Sequence, residues 1–241
     1  MMALKLKVSK EALKKGWILT KANNNPKLIE KGLGKKARAY YYFTYGNDRG
    51  YMAFSEYKSG VKVTVSVAGS DDKQDWKENI DARLDGIGRH KGFREPAKII
   101  WEDIIVPHVN AWRNVKSIEF FGHSRGGAIC LGMMELAADV PKNYPWGNNI
   151  MGITYGAPMY GDERWSIRVG SVSKGFLRVE NEYDPVPKVP LTKWGYVKEC
   201  DQFKIKQPWF WKILPIRSHL WYGLTIKTCV SKKEIEKFNN R

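Results

Sequence analysis

The sequence predicts an α/β fold with a mostly parallel, doubly wound central sheet and helices on both faces. Three observations carry that expectation. Two β-rich runs, Tyr51 to Tyr57 and Val61 to Val67, meet at Ser59-Gly60 and read as an antiparallel hairpin. A strand from Val115 to Phe121 passes through a glycine-flanked turn straight into an apolar run with helical spacing, Ala128 to Val140. Two later strands, Ile150 to Gly156 and Phe176 to Val179, each end in a proline or glycine turn. Parallel neighbours need a crossover between them, so strands alternating with helices point to a parallel sheet. With 241 residues, 43% of them hydrophobic, the chain can bury one core, and a single domain over 1–241 is expected.

Taken in order, residues 9–21 read as a basic helix with Ser9 as N-cap and Glu11 in its first turn, stopped at Asn23-Asn24-Asn25-Pro26. Lys27 to Lys36 contains Gly32 and Gly34 and reads as a loose connection, making 1–36 a basic N-terminal helical extension. The first strand spans Ala37 to Tyr45, ahead of the hairpin, whose second arm sets Val61, Val63, Val65 and Val67 against Lys62, Thr64 and Ser66. Beyond Ala68-Gly69-Ser70, a polar turn leads to Asp75-Trp76, where backbone N–H groups can approach the central turn; an ordinary strand-end turn is the alternative. Ala82 to Arg89, with two glycines and little apolar content, reads as a flexible loop. A long helix then carries Ala97, Ile100, Trp101, Ile104 and Ile105 on one face until Pro107 breaks or kinks it, and a remaining turn or two carries it to Trp112.

Charge and cysteine content narrow the chemistry. There are 41 Lys and Arg against 25 Asp and Glu, a formal net charge of +16, which favours anionic lipid, nucleic acid or acidic polymer without choosing among them. The basic residues are spread along the chain, so no specific nucleic acid partner is expected. Cys130, Cys200 and Cys229 lack metal-like spacing, and neither a metal nor another cofactor is expected. The N-terminal residues include no continuous apolar h-region, and no run approaches the roughly 18 apolar residues of a membrane span. A cytoplasmic chain is therefore expected, although release by lysis or a specialised route leaves no such mark. The sequence does not set an oligomeric state.

The chemistry centres on Gly122-His123-Ser124-Arg125-Gly126. A Gly-x-Ser-x-Gly run between strand and helix is the setting of a nucleophile elbow, in which small residues let the strand and helix pass beside a strained serine. The backbone N–H of Arg125 falls in the first helical turn, where unpaired amides favour a developing oxyanion. A nucleophilic serine needs a base, and the base needs an orienting partner. Of four histidines, His123 adjoins the serine but is expected to point to the opposite side of the strand end, and His90 and His108 flank a helix. His219, in a loop near the C-terminus, is the natural base. Among the acids between Ser124 and His219, Asp184 stands out because it follows a strand in a loop stiffened by Pro185 and Pro187, with a solvated turn aspartate as the alternative.

Taken together, six blocks in order resemble the class 3 lipase family of α/β-hydrolases. They are Val67-Ala68-Gly69-Ser70 with Asp75-Trp76 and Asn79; His90-x-Gly92-Phe93; Gly122 to Ala128; Thr154 to Pro158 with Gly161-Asp162; Arg178-Val179-x-Asn181-x-x-Asp184-Pro185-Val186-Pro187; and His219 ahead of Trp221-Tyr222. The resemblance implies an α/β-hydrolase fold, a Ser124, Asp184 and His219 triad, and an oxyanion hole from the Ser70 and Arg125 amides. It also implies that 82–89 occupies the place of the lid, here a short lid-like loop. Ala68 stands where the family commonly has arginine, and Arg125 where it commonly has leucine, a cation that would bias the mouth toward acidic substrates.

The expected activity is that of a serine carboxylic-ester hydrolase acting on lipid acyl esters, lipase- or phospholipase-like. A small-ester esterase and a non-catalytic basic binding protein on a hydrolase fold are the alternatives. The proline-bounded aromatic loop 207–215 carries Trp209, Phe210, Trp211 and Lys212, which suit contact with lipid and an anionic membrane surface; an aromatic satellite core is the other reading.

Overall fold

The protein is described by a computed structural model covering residues 7–34, 36–69, 83–139, 144–147, 149–172, 175–198 and 201–241. Seven strands form one sheet in sequence order: β1 (Ala37–Tyr45), β2 (Asp48–Tyr57), β3 (Gly60–Val67), β4 (Val115–His123), β5 (Ile150–Tyr155), β6 (Gly175–Asn181) and β7 (Asp201–Ile205). The first three pair antiparallel and the rest parallel. The strand β7 lies outside the sequence expectation: five residues with a lysine among them are too short for a clear alternation.

The period-two alternation of the strands sorts side chains onto two cores. Met52, Phe54, Val63, Val65, Ile118 and Phe120 face one side, where they meet α3 (Lys91–Ile99), α5 (Ser124–Ala138) and α6 (Glu163–Val172). Tyr51, Ala53, Phe121, Ile153, Tyr155, Leu177 and Val179 face the other. Fully burying each such large side chain contributes about 1.5–3 kcal/mol.

The strand order never reverses, so the doubly wound expectation is corrected. The crossover helices α3, α5 and α6 share one core, whereas the opposite face is closed by the chain ends. These are α1 (Lys10–Lys21), α2 (Pro26–Leu33), α8 (Tyr222–Cys229) and α9 (Lys232–Asn239). The N-terminal segment is therefore part of the core: Leu13, Leu19 and Ile29 are fully buried. The loose connection over 27–36 is likewise corrected to α2, capped by Asn25 and started by Pro26. Its Gly32 is a packing residue, because a Cβ there would lie 2.4 Å from Leu19.

The helical run continues past Pro107 for the expected turn or two: α3 passes through a π-helical turn (Ile100–Ile105) into α4 (Val106–Ala111), whose C-cap is Trp112. One further expectation changes. Within the lid-like loop, residues 83–89 are pinned rather than flexible. Asp85 Oδ1 accepts from the N–H of Ile87 and of Arg89, Leu84 bridges His90, and Arg89 bridges Gly161. No helix among the described residues is long and apolar enough to cross a membrane.

Candidate active site

Ser124 sits where β4 turns into α5, with φ +53°. That left-handed conformation costs a residue with a Cβ about 1–2 kcal/mol, so the surroundings must enforce it. They do so by close approach. A Cβ on Gly126 would lie 2.3 Å from the Ala68 carbonyl oxygen, one on Gly122 would lie 2.6 Å from that of Gly126, and one on Gly69 would lie 3.0 Å from the Ser124 Cβ. The exit of β3, the elbow and the first turn of α5 are thereby pressed together. Ser70, the expected second oxyanion donor, lies outside the described residues, as does Asp75-Trp76.

The Arg125 side chain does not line a cationic mouth, which corrects the expected bias toward acidic substrates. Its guanidinium forks onto Asp48 at the start of β2, Nε to Oδ1 at 2.8 Å and Nη2 to Oδ2 at 2.9 Å. A planar fork matched to a carboxylate neutralises the charge locally.

Asp184 follows β6 and is fully buried. An ionised carboxylate there requires partners. It accepts from His219 Nδ1 at 2.9 Å, from the Tyr222 hydroxyl at 2.6 Å and from the Val186 N–H at 2.9 Å. Gly156 makes this contact possible. It has φ +58°, and a Cβ on it would lie 2.6 Å from Asp184 Oδ2 and 2.9 Å from His219 Nδ1.

His219 belongs to α7 (Pro215–Leu220) and is held from several directions. The Asn181 amide donates to the Ser218 carbonyl at 2.6 Å, and the Ser218 hydroxyl donates to Gln207 at 2.7 Å. His123 Nε2 lies 3.0 Å from the His219 carbonyl oxygen, and the two rings stack with centroids 4.7 Å apart. Because a carbonyl only accepts, His123 carries its proton on Nε2; its Nδ1 has no hydrogen-bond partner among the described residues. By the same logic His219 donates from Nδ1 to the carboxylate, and its basic lone pair sits on Nε2. Burial, with help from the nearby His219 and Lys21, holds the His123 imidazole well below the ordinary histidine range, so it stays neutral.

The structure thus joins Asp184 and His219 directly and stacks His219 on the residue before Ser124. His123 turns toward this cluster, against the expectation that it points away. The aromatic trio divides: Trp209 and Phe210 are exposed, whereas Trp211 is buried edge-on against Trp221, with ring centroids 6.1 Å apart, so Trp211 presents no lipid-facing ring. Sequence reasoning quoted Tyr222 and Gly156 within the family blocks without giving either a role, and it missed Trp17. Tyr222 lies one helical turn beyond His219, a spacing that offered a signal. Trp17, on α1, offered none, yet its ring lies 5.1 Å from His123, 5.4 Å from Tyr155 and 5.6 Å from Tyr222.

Comparison with known proteins agrees with this architecture. The family model for lipase (class 3) matches residues 64–194. The secreted mono- and diacylglycerol lipase 2 of Gibberella zeae is 34% identical over 99 residues, 36% of this chain and 23% of that protein. The secreted mono- and diacylglycerol lipase 1 of Fusarium solani is 30% identical over 148 residues, 56% of this chain and 41% of that protein. The chain therefore aligns with less than half the length of either curated relative. Among solved structures, the lipase from Rhizopus microsporus var. chinensis superposes with a TM-score of 0.67 at 18% identity, covering 84% of this chain and 78% of that one. The Rhizomucor miehei lipase propeptide complex gives 0.66 at 17% identity, covering 90% and 81%. At these identities the likeness concerns the fold, that of α/β-hydrolases.

The cytoplasmic expectation is overturned by the relatives' names, since both are secreted proteins. The lack of an apolar h-region near Met1 was an insufficient basis for it. With the family model spanning more than half of the sequence, and the elbow, the buried acid and the C-terminal histidine in the family's order, the chain belongs to the class 3 lipase family.

Proposed function

We propose that the protein is a serine carboxylic-ester hydrolase that cleaves acyl esters of lipids through Ser124, His219 and Asp184. The observation that carries this reading is the buried Asp184–His219 pair, whose imidazole stacks on His123 immediately before the strained Ser124. His219 Nε2 takes the Ser124 proton as the hydroxyl attacks the ester carbonyl, and Asp184 stabilises the imidazolium that forms. The Arg125 N–H, in the first turn of α5, donates to the oxyanion, together with the Ser70 N–H. His219 then returns its proton to the leaving alcohol, and water activated by the same ring clears the acyl-enzyme.

Both named relatives are mono- and diacylglycerol lipases, so partial glycerides are the substrates to test first, in an extracellular setting as their names state. Contact with an anionic membrane surface is part of the same reading, as is action by a single domain.

The test is a panel of monoacyl- and diacylglycerols, phospholipids and p-nitrophenyl esters run on the parent and on Ser124→Ala. The variant is expected to lose at least about a thousandfold in turnover with an unchanged melting temperature. Near-parental hydrolysis by the variant would overturn the assignment.

A further inference from the structure

The segment that carries His219 turns polar side chains inward as far as Thr225, beyond which Ile226 is buried in the apolar core. From Leu214 to Thr225 the backbone is helically bonded almost throughout: Ser218 N–H to the Leu214 carbonyl, Trp221 to Arg217, and Thr225 to Trp221. Its inward stripe is Ser218, His219, Tyr222 and Thr225, all buried and all polar or polar-tipped. Its outward stripe is Ile216, Leu220, Trp221 and Leu224, all exposed, continued upstream by Ile213 and Trp209. Trp209 is 76% exposed, Ile213 72% and Ile216 62%. Amphipathic helices in water place their apolar stripe inward, and an exposed cluster of large apolar side chains marks a surface meant to be covered.

Charge selects what covers it. Between Asp201 and Glu234 there is no acidic residue, whereas Lys204, Lys206, Lys212, Arg217, Lys227, Lys232 and Lys233 all fall in that interval. Lys206, Lys212, Arg217 and Lys227 are exposed; Lys212 and Arg217 lie within 209–225, and the Arg217 guanidinium sits 5.2 Å from the Trp221 ring centroid. Apolar and tryptophan side chains rimmed by cations fit the boundary of an anionic bilayer, with the apolar side chains among acyl chains and the lysine stems carrying their charge up to the headgroups. An exposed acid, Glu182, also lies at this segment, where its carboxylate accepts from the Gln207 N–H at 3.2 Å, so the face is cationic in balance, not in every residue.

We propose that Trp209, Ile213, Ile216, Leu220, Trp221 and Leu224 form a docking face for an anionic phospholipid surface. It rests on the reading of the chain as a lipid ester hydrolase and adds where the membrane sits. Docking by this face seats the segment that carries His219 on the lipid. The device differs from a lid: the surface belongs to the segment that holds the base.

The experiment is vesicle sedimentation with Ser124→Ala, which leaves the lipid uncleaved. Vesicles of phosphatidylcholine alone are compared with equal parts phosphatidylcholine and phosphatidylglycerol. The protein is expected to bind the mixed vesicles at least about tenfold more tightly. Adding Trp209→Ser, Ile213→Ser and Ile216→Ser should weaken that binding by about tenfold or more without lowering the melting temperature, since all three side chains are exposed. Adding Lys206→Glu and Lys212→Glu instead should cost about fivefold per site. Equal binding to both vesicle types, or full binding by the serine triple variant, would overturn the proposal. So would self-association in sedimentation velocity that the triple variant abolishes, with no vesicle binding by the parent. Turnover of soluble p-nitrophenyl esters by the parent is read separately: its absence would sink the hydrolase reading and leave the vesicle result intact.

Discussion

The two faces of the sheet are built differently. On the crossover face, Val63, Val65, Phe120, Ile129, Leu131 and Met133 make a hydrocarbon core, and its buried Glu135 is paired at the helices, accepting from Trp165 Nε1 at 3.2 Å and from Arg89 Nη1 at 3.3 Å. On the face closed by the chain ends, hydroxyls are tied to fixed acceptors. Tyr51 and Ser66 donate to the Leu19 carbonyl at 3.0 and 3.2 Å, Tyr155 to the Leu13 carbonyl at 2.6 Å, and Tyr222 to Asp184 at 2.6 Å. Apolar burial is non-directional and tolerates small shifts, whereas a hydrogen bond lost in a buried site leaves a stranded partner. Both faces bury apolar surface, but the second also fixes hydroxyl positions, and the acid–histidine pair is anchored there.

Substitutions on the two faces should therefore separate stability from turnover. The largest effect on stability is expected from Leu131→Ala in α5, which empties a fully buried site on the crossover face at a cost of about 2–5 kcal/mol. Thermal melting should register it, while kcat per folded molecule stays near parental. A fall in kcat as large as that of an active-site variant would erase the distinction between faces.

Tyr222→Phe changes only a hydroxyl. Removing a bond to an ionised carboxylate is worth about 1.5–3 kcal/mol. Because Asp184 orients His219, the loss should surface as a kcat lower by about ten- to a hundredfold, with KM little changed. Stopped-flow or steady-state turnover of a soluble ester measures it, and parental kcat would show that the carboxylate needs no third anchor.

The smallest effect concerns pH. The His123 imidazole is held neutral in the fold, whereas in the unfolded chain it protonates below its ordinary value of 6.5. Between those two values the unfolded state binds the extra proton, so the ring's contribution is fully present above pH 6.5 and declines as pH falls. His123→Phe keeps a ring in the stack and removes the titration. Denaturant melts from pH 7 downward should show a shallower acid slope for the variant, and identical slopes would mean that His123 does not report on this face.

Reading residues in order took the sequence far at the centre of the chain and less far at its ends. The elbow was legible because Gly122, Ser124 and Gly126 are needed together at one turn, and the flanking strand and helix have clean periods. The crossover helices α3 and α5 were legible for the same reason, whereas α6 (Glu163–Val172) was not read from the sequence. The helix α2 was hidden by Gly32 and Gly34, which read as loop residues until Gly32 is seen against Leu19 and Gly34 as the C-cap with φ +75°. The π-helical turn that accommodates Pro107 has no sequence period of its own.

By itself the amino-acid order determined the first six strands, the helices on either side of β4, the elbow, and the excess of positive charge, because each depends on neighbours within a few residues. Only the tertiary structure decided that both chain ends close one face of the sheet and that Trp17 reaches His123. It also decided that the charge of Arg125 is spent on Asp48, and that the His219 segment turns its apolar side outward. Those outcomes join residues far apart along the chain, and no local pattern encodes which distant surfaces will meet.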